Sequence, residues 1–434
     1  MKKKLLFFLL GILSLQGLAQ NSKVENTSVI PTLTAKEWDF NFYGFIRTDY
    51  IFDTRKSAQV REDNLNLYPL DKNLDINGQD LNSTEASNIL SIVSRVGLKV
   101  KGPDVWGAKM TGTLEGDFFG NTEASIGLVR LRHAYINMDW SKISLLVGQT
   151  WYPAFIPEVF PGVANFNTGI LFNPFGWASQ IRVKQNFTKE LSLTATIYKE
   201  REFTTATAAG GTQNSASINS ALPTFHAQFQ FKNTNWFAGI GAEYKSLQPL
   251  TEYKPTPNTT AKTTEKVNSS SFLGFLKYTN DTFSIKAYGI TGGNLNNFVM
   301  LGGFAGYTNS MQPEKYEPTK TSSVWVNLAS NNKKIAPALF FGYTKNEGNG
   351  KNGLAADETV KYYMRGVSNS RIVDNVWRVS GRVDFKRNNF KVTPELEYTA
   401  ATWGDLDTKA NGKAGLNKTA VANLRTLFSC AYSF

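Results

Sequence analysis

The most constraining feature of this sequence is a repeated alternation of apolar and polar residues with a period of two. In the segment 377–385 the apolar residues Trp377, Val379, Val383 and Phe385 alternate with Arg378, Arg382 and Asp384. The segments 40–50, 94–101 and 106–118 show the same pattern. Successive side chains of a strand point to opposite faces, whereas on a helix this pattern would spread apolar residues around the whole cylinder. The sequence therefore predicts an all-β chain with two-faced strands.

Segments of this kind recur along the whole chain and have the length of strands that cross a membrane. We predict strands near 38–51, 89–101, 106–118, 127–140, 142–150, 176–187, 190–200, 223–232, 235–247, 269–279, 282–292, 322–330, 335–345, 375–386, 389–401 and 421–434. Their number, sixteen, is even, as bacterial single-chain membrane barrels require. The segment 335–345 alternates least, so fourteen or eighteen strands are alternatives.

The connections between these segments alternate in length. Long connections occupy 52–88, 119–126, 151–175, 201–222, 248–268, 293–321, 346–374 and 402–420. Short turns such as 101–104, 232–235, 280–281 and 387–388 separate them. Long extracellular loops alternating with short periplasmic turns are typical of outer-membrane barrels. We therefore expect residues 38–434 to form a transmembrane antiparallel β-barrel of about sixteen strands.

The first residues predict export. Lys2 to Lys4 precede the apolar run 5–15, and Gly17-Leu18-Ala19 provides a small-residue cleavage site. This pattern predicts a signal peptide at 1–19, followed by a short periplasmic segment at 20–37. The expected location is the bacterial outer membrane, where lipid and lipopolysaccharide are partners and nucleic acid is not. Cys430 is the only cysteine, so an internal disulfide is excluded.

The chain is basic, with a formal charge of +12 that falls to +9 without the three lysines of the signal peptide. In an exported barrel such an excess favours an anion pathway or contacts with lipopolysaccharide phosphates. Strand parity points nine cations into the lumen: Arg47, Arg95, Lys99, Arg130, Arg132, Arg182, Lys184, Arg378 and Arg382. The planar guanidinium suits carboxylate and phosphate ligands. Alternatively the cations pair with wall acids, because parity places Asp117 beside Arg130 and Glu115 beside Arg132.

The third long connection, residues 151–175, is unusually apolar for a loop. As a surface loop it would be a costly exposed apolar patch. We therefore predict that it folds into the barrel mouth and narrows the lumen. Its candidate constriction residues are Trp151, Tyr152, Phe155, Glu158 and Phe160. The alternative is packing against a neighbouring subunit.

Four short motifs resemble a known family. They are Ser94-Arg95-Val96-Gly97, Leu114-Glu115-Gly116-Asp117-Phe118-Phe119-Gly120, Leu131-Arg132-His133-Ala134-Tyr135 and Gly148-Gln149-Thr150-Trp151. This part of the chain, roughly 40–185, resembles the DcaP-like group of the porin superfamily. The resemblance implies a homotrimer that takes up small anionic solutes, including dicarboxylic acids. The composition also fits an envelope protein of the Bacteroidetes type.

Two further features bear on assembly. The chain ends Ala431-Tyr432-Ser433-Phe434, and the aromatic residues Tyr432 and Phe434 are candidate signals for the barrel-assembly machinery or members of an interface girdle. His133 has the opposite parity to Arg130 and Arg132, so we expect it to face outward. A polar ring there would indicate a subunit interface, because hydrocarbon would leave it unpaired.

The function that these features favour is passive diffusion of small hydrophilic, anionic solutes through a water-filled lumen. A surface receptor or adhesin with a closed lumen is an alternative, since the loops 201–222 and 248–268 are long and polar. An outer-membrane hydrolase is a weaker alternative. The histidines, His133 and His226, lack a nucleophile motif and metal-ligand spacing, so we expect no catalytic residues, metal or cofactor.

Overall fold

The computed structural model describes residues 38–434, and residues 39–434 form one compact unit. This unit is a closed antiparallel barrel of sixteen strands, as the alternation predicts. The wall strands are β1 (Asp39–Asp53), β2 (Ala86–Leu90 and Arg95–Lys101), β3 (Lys109–Asp117), β4 (Arg130–Asp139), β5 (Ile143–Trp151), β6 (Trp177–Asn186), β7 (Leu191–Glu202), β8 (Thr224–Lys232), β9 (Trp236–Leu247), β10 (Val267–Thr279), β11 (Phe283–Gly293), β12 (Lys315–Ser330), β13 (Ile335–Gly348), β14 (Arg371–Arg387), β15 (Phe390–Asp405) and β16 (Thr419–Ser433). The predicted signal peptide and periplasmic segment, 1–37, lie outside the described residues.

The barrel closes where the first strand meets the last. β1 pairs with β16 from Phe45 opposite Ser433 to Asp53 opposite Arg425, and its other edge pairs with β2. The backbones of Gly44 and Phe434 exchange two hydrogen bonds, of 3.1 and 3.0 Å. Tyr432 and Phe434 lie at this seam with 53% and 55% of their surface exposed. The described wall therefore has no unpaired edge.

The connections alternate in length as predicted. Long loops fill 54–85, 118–129, 152–176, 203–223, 248–266, 294–314, 349–370 and 406–418, and short turns join the strands at the other end. The loops contain the short strands Ser57–Val60, Leu65–Pro69, Glu252–Tyr253, Ala261–Lys262, Gly302–Asn309, Glu358–Arg365 and Val367–Ser368, and the helical turns Glu123–Ser125, Ser215–Asn219 and Leu295–Phe298. Within residues 38–434 no helix is long and apolar enough to cross a membrane.

Side-chain exposure follows the alternation. On β1, Phe42 and Ile46 are 69% and 63% exposed on the outside, whereas Asp49 is buried on the inside. The weakly alternating segment 335–345 is a wall strand as well. Its inward residue Phe340 is apolar because it faces the ring of Phe172, at 6.1 Å between ring centres. The contrast between the two faces is lost there, because both the membrane and the interior are apolar at this point.

Candidate functional site

The third long loop, residues 152–176, crosses the inside of the barrel. It leaves β5 and returns to β6, and its backbone and side chains bond to the far wall. The hydrogen bonds run from the Tyr288 hydroxyl to the Ala154 carbonyl (2.8 Å), from the Asn165 N–H to the Glu395 carboxylate (2.8 Å) and from the Trp325 indole to the Asn173 side chain (3.1 Å). Trp325 is on β12, seven strands from β5 in one direction and nine in the other. The loop therefore spans the lumen and does not cover its outer surface.

The aromatic residues of this loop and of the strand ends beside it pack together inside the barrel. Trp151 stacks on Phe155 at 4.0 Å and on Trp177 at 4.3 Å, and Phe155 stacks on Phe160 at 5.9 Å. The Tyr152 hydroxyl donates to the Phe203 carbonyl at 2.7 Å. Glu158, by contrast, is exposed. The rings that would form a costly surface patch are thus covered by the wall and by one another.

Two other loops enter the same space, which the sequence interpretation missed. The strand Leu65–Pro69 of the first loop is buried along its whole length, as is the helical turn Leu295–Phe298 of the sixth loop. Both join the third loop in one apolar core. The alternating run Leu65-Asn66-Leu67-Tyr68 was a usable signal for the first loop, because such a run is unexpected in a solvated segment. The half of the lumen nearest the long loops is therefore largely filled.

Arg378 joins the first and third loops and is not available to a solute. Its guanidinium donates to the carbonyls of Asn66 (3.0 Å), Leu67 (3.2 Å) and Ile170 (3.2 Å), and Glu397 lies 3.4 Å away. Its side chain is fully buried. The inward direction predicted from parity is right, but the prediction that Arg378 lines the pore is wrong. Carbonyl groups of the loops accept the guanidinium hydrogen bonds that would otherwise be available to a solute.

Arg130 and Arg132 point inward but are likewise buried, each with 1% of its surface exposed. Arg130 makes a two-pronged pair with Asp117 (3.0 and 2.8 Å) and a second pair with Glu202 at 3.0 Å. Arg132 pairs with Glu115 at 2.7 Å and with Asp117 at 3.1 Å. The prediction that these two arginines, and the acids Glu115 and Asp117, line the solute path is therefore wrong.

Aromatic rings cover this charged cluster. The guanidinium carbons of Arg130 and Arg132 lie 4.7 and 4.4 Å from the ring of Trp177. Arg132 also lies 5.1 Å from the ring of Trp151. Arginine on an aromatic face is favourable, and the rings exclude water from the ion pairs. The alternative reading of the sequence, in which the arginines pair with wall acids, is the one that the structure supports.

His133 faces inward, against the sequence prediction. In the pairing of β3 with β4, Glu115 lies opposite His133 and Gly116 lies opposite Leu131, so Arg132 is the extra residue of a β-bulge. A bulge shifts the parity of the strand by one residue, which puts both Arg132 and His133 inside. His133 is 8% exposed, and its Nδ1 lies 2.9 Å from the Thr150 hydroxyl. It therefore gives no support to a subunit interface.

Beneath the third loop, toward the short turns, the barrel keeps an open polar chamber. A cavity of about 280 Å³ is lined there by Arg182, Lys184, Glu158, His226, Gln228 and Gln230. Arg182 donates to the Gln180 side chain at 2.7 Å and to the Trp151 carbonyl at 3.3 Å, and Glu158 attracts it electrostatically. Arg182 and Lys184 thus lie on the inner face of the wall, beside this cavity.

The remaining predicted cations also lie on the inner face but differ in their partners. Arg47 pairs with Asp49 at 2.8 Å, and Arg95 lies 3.5 Å from Glu115. Lys99 lies over the Tyr43 ring at 5.1 Å. Arg382 pairs with Asp384 and donates to the Gly162 carbonyl of the third loop. They therefore lie on several sides of the inner wall.

Two cations beside Arg382 were not predicted from the sequence. The Lys286 ammonium donates to the Phe160 carbonyl at 3.1 Å and is repelled by Lys277 and Arg382. Lys391 is repelled by Arg47, Arg382 and Lys386, and is attracted by Asp384. Strand parity extended to 282–292 and 389–401 would have placed Lys286 and Lys391 inward. The edge of the crossing loop thus meets a cationic wall.

No group of three or more His, Cys, Asp or Glu side chains within residues 38–434 is arranged to hold a metal ion.

Comparisons with known proteins agree with this geometry. The family model described as DcaP outer membrane protein matches residues 11–295. The outer membrane channel DcaP of Acinetobacter baumannii has 16% identity, a TM-score of 0.65 and coverage of 92% of this chain and 99% of its own. An anion-selective porin from Comamonas acidovorans has 12% identity, a TM-score of 0.54 and coverage of 92% and 100%. OmpT of Vibrio cholerae has 12% identity, a TM-score of 0.53 and coverage of 93% and 99%. No curated protein matches the sequence.

The buried arginine cluster gives a prediction about stability. Replacing Arg132 with Met leaves Glu115 with Arg95 at 3.5 Å as its remaining arginine, beside the Tyr43 hydroxyl at 2.9 Å, and it removes one partner of Asp117. Breaking a buried ion pair costs about 3–5 kcal/mol of folding free energy. The Arg132→Met variant should therefore unfold at a temperature well below that of the wild type. The measurement is the temperature at which the folded band shifts on a denaturing gel.

Lys184→Met is the matched control. Because Lys184 borders the open chamber, this variant should unfold at a temperature close to that of the wild type. Arg132→Met protein that folds should keep the ion selectivity of the wild type. A variant with normal stability and altered selectivity would show that the guanidinium contacts the permeating ion.

Proposed function

This chain belongs to the DcaP outer membrane protein family, and we propose that it is a diffusion channel that passes small anionic solutes. It is an outer-membrane porin by family and fold. The finer proposal concerns the charge of the solute, with dicarboxylates as the class that the family resemblance implies. It rests on the inner surface beneath the third loop.

The proposal is supported by an excess of accessible cations in the lumen beneath the third loop. Arg182 and Lys184 line the chamber, and Lys286 and Lys391 lie on β11 and β15, near Arg382. Of the acids there, Glu158 attracts Arg182, and Asp384 pairs with Arg382 and lies 3.6 Å from Lys386. Fields in a hydrated lumen are screened beyond about 8 Å at physiological salt, so charges near the narrowest point have the largest effect. Cations that border the crossing loop meet this condition.

We also propose that the third loop is the constriction. Lys286 and Arg382 donate to the carbonyls of Phe160 and Gly162, so the far edge of the loop is tied to the cationic wall. The stacked rings of Trp151, Phe155 and Phe160 form a rigid apolar body that a hydrated ion does not cross. A solute then passes beside the loop, where the cations are.

A closed receptor is the second candidate, and one observation favours it. The strand Leu65–Pro69 and the helical turn Leu295–Phe298 fill much of the lumen on the long-loop side together with the third loop. In a receptor this filling would be permanent, whereas a channel retains a water path beside it. Single-channel recording distinguishes the two, because only the channel conducts.

We propose no catalytic role. His133 is close to the Thr150 hydroxyl, but the rings of Trp151 and Trp177 pack on it at 5.7 and 6.5 Å. His226 is buried between Glu243 and Gln228, each 3.4 Å away. The rings around His133 leave no space beside it for a substrate, and His226, which borders the chamber, is held between a carboxylate and an amide.

We propose a homotrimer whose contact surface lies on β1–β4. An apolar cleft of about 500 Å³ on the outside of these strands is lined by Phe42, Val96, Leu98, Leu114, Val129 and Leu131. Beside it, Leu128 and Val129 of the second loop are 65% and 71% exposed. Native mass spectrometry in mild detergent should give three times the subunit mass, and a spectrum of monomer alone would contradict the proposal.

The charge proposal predicts anion selectivity. In a potassium chloride gradient the wild-type reversal potential should show preferred passage of chloride. Arg182→Gln combined with Lys184→Gln should lower the anion-to-cation permeability ratio by about twofold to fivefold, since a unit charge at contact in water contributes about 1 kcal/mol. Lys189→Gln, in the turn between β6 and β7, is the control and should leave the ratio unchanged. A cation-selective wild type would refute the proposal.

The constriction proposal predicts the effect of removing the loop tip. Deleting 155–165 should raise single-channel conductance, because it opens the cross-section that the rings occupy. The control is deletion of 256–260, the exposed tip of the fifth loop, which should leave conductance unchanged. Unchanged conductance in a correctly folded 155–165 deletion would place the narrowest point elsewhere.

A further inference from the structure

An unusual surface lies on the outside of the barrel at its short-turn end. The turn 331–334 between β12 and β13 and the turn 388–389 between β14 and β15 border a cleft of about 750 Å³. Three cations, Lys333, Lys334 and Arg387, lie beside three apolar residues, Ile335, Phe385 and Phe390. The outer surface thus combines an apolar wall with a cationic rim.

The three rim cations have no acidic partner within residues 38–434, since none of them forms an ion pair there. Asp384, the acid closest to them in sequence, is 4% exposed and faces the interior. Its carboxylate is engaged by Arg382, by Lys386 at 3.6 Å and by the Thr393 hydroxyl at 2.8 Å. The charged residues on the rim of the cleft are therefore all cations.

This concentration of charge is particular to one sector of the barrel. At the turn between β4 and β5, Lys142 is accompanied by Asp139, and at the turn between β6 and β7, Lys189 is followed by Glu190. The turn between β8 and β9 carries the single cation Lys232, and the turn between β10 and β11 carries Asp281 and no cation. A general requirement for basic residues at the membrane surface would distribute the cations around the rim. A localised ligand accounts for their grouping on two adjacent hairpins.

The level of the cleft relative to the membrane indicates the environment of that ligand. Ile335, Phe385 and Phe390 are 54%, 48% and 45% exposed, and they end the outward apolar band of their strands. The cations follow immediately, at the level where short periplasmic turns leave the membrane. Phospholipid phosphates lie at this level in the periplasmic leaflet, with acyl chains beside the apolar residues. Basic pockets of this kind bind anionic headgroups.

We propose that this cleft, the hairpin cleft, binds an anionic phospholipid of the periplasmic leaflet. The phosphate contacts Lys333, Lys334 and Arg387, and an acyl chain lies along Ile335, Phe385 and Phe390. The site is outside the lumen and separate from the proposed contact surface on β1–β4. It is therefore independent of the solute that the channel passes.

The test is native mass spectrometry of the detergent-purified protein titrated with phosphatidylglycerol, with phosphatidylcholine and with inorganic phosphate. Wild-type protein should retain phosphatidylglycerol in preference to phosphatidylcholine. The triple variant Lys333→Gln, Lys334→Gln, Arg387→Gln should bind it roughly tenfold to a hundredfold more weakly, because each cation near an anionic surface contributes about a fivefold factor. Folding of each variant is checked by the heat-dependent band shift.

The control variant Lys142→Gln, Lys189→Gln, Lys232→Gln removes equal charge from other turns and should bind phosphatidylglycerol as wild type does. Equal loss in both variants would overturn the site, because the attraction would then be a property of net charge. Equal retention of the two lipids would also overturn it. Retention of inorganic phosphate without the lipid would assign the cations to a soluble anion instead.

Discussion

The closure of the wall is the constraint on which the rest of the structure depends. Backbone groups within hydrocarbon must find partners in the protein, so a sheet can cross a membrane only when its last strand pairs with its first. Here β1 pairs with both β16 and β2, and the backbones of Gly44 and Phe434 bond at the seam. Closure fixes which side chains face inward and creates the enclosed space that the third loop occupies.

Within this wall, the side chains of one parity meet two different interiors. On the long-loop side they pack against the first, third and sixth loops, and burial there resembles that of a soluble core. Beneath the third loop they line an open cavity. Arg132 and Arg182 illustrate the difference, because both point inward, from β4 and from β6. Arg132 is enclosed by Trp151 and Trp177 and neutralised by Glu115, whereas Arg182 borders a cavity. An enclosed arginine such as Arg132 helps to hold the packed interior together. An arginine such as Arg182, which borders the cavity, has open space beside it.

The loop that crosses the lumen is held mainly through its own backbone. Carbonyls at Ala154, Phe160 and Gly162 accept hydrogen bonds from Tyr288, Lys286 and Arg382 of the far wall. A buried loop needs such partners, because unpaired carbonyls would cost free energy. The same cations therefore have two roles: they fix the position of the loop, and they set the charge at its edge.

The alternation along the sequence is enough to predict the barrel, because a period of two is a local property of the chain and the membrane enforces it on every strand. It also determined the inward direction of Arg47, Arg182 and Arg382, since parity within one strand needs no knowledge of the others. Which of the inward cations are accessible depends on the folded chain, since the residues that cover Arg130, Arg132 and Arg378 come from other strands and from distant loops. The bulge at Arg132, which turns His133 inward, depends on the pairing of β3 with β4. Pairing register and loop packing are properties of two segments together, and neither is encoded in the pattern of one.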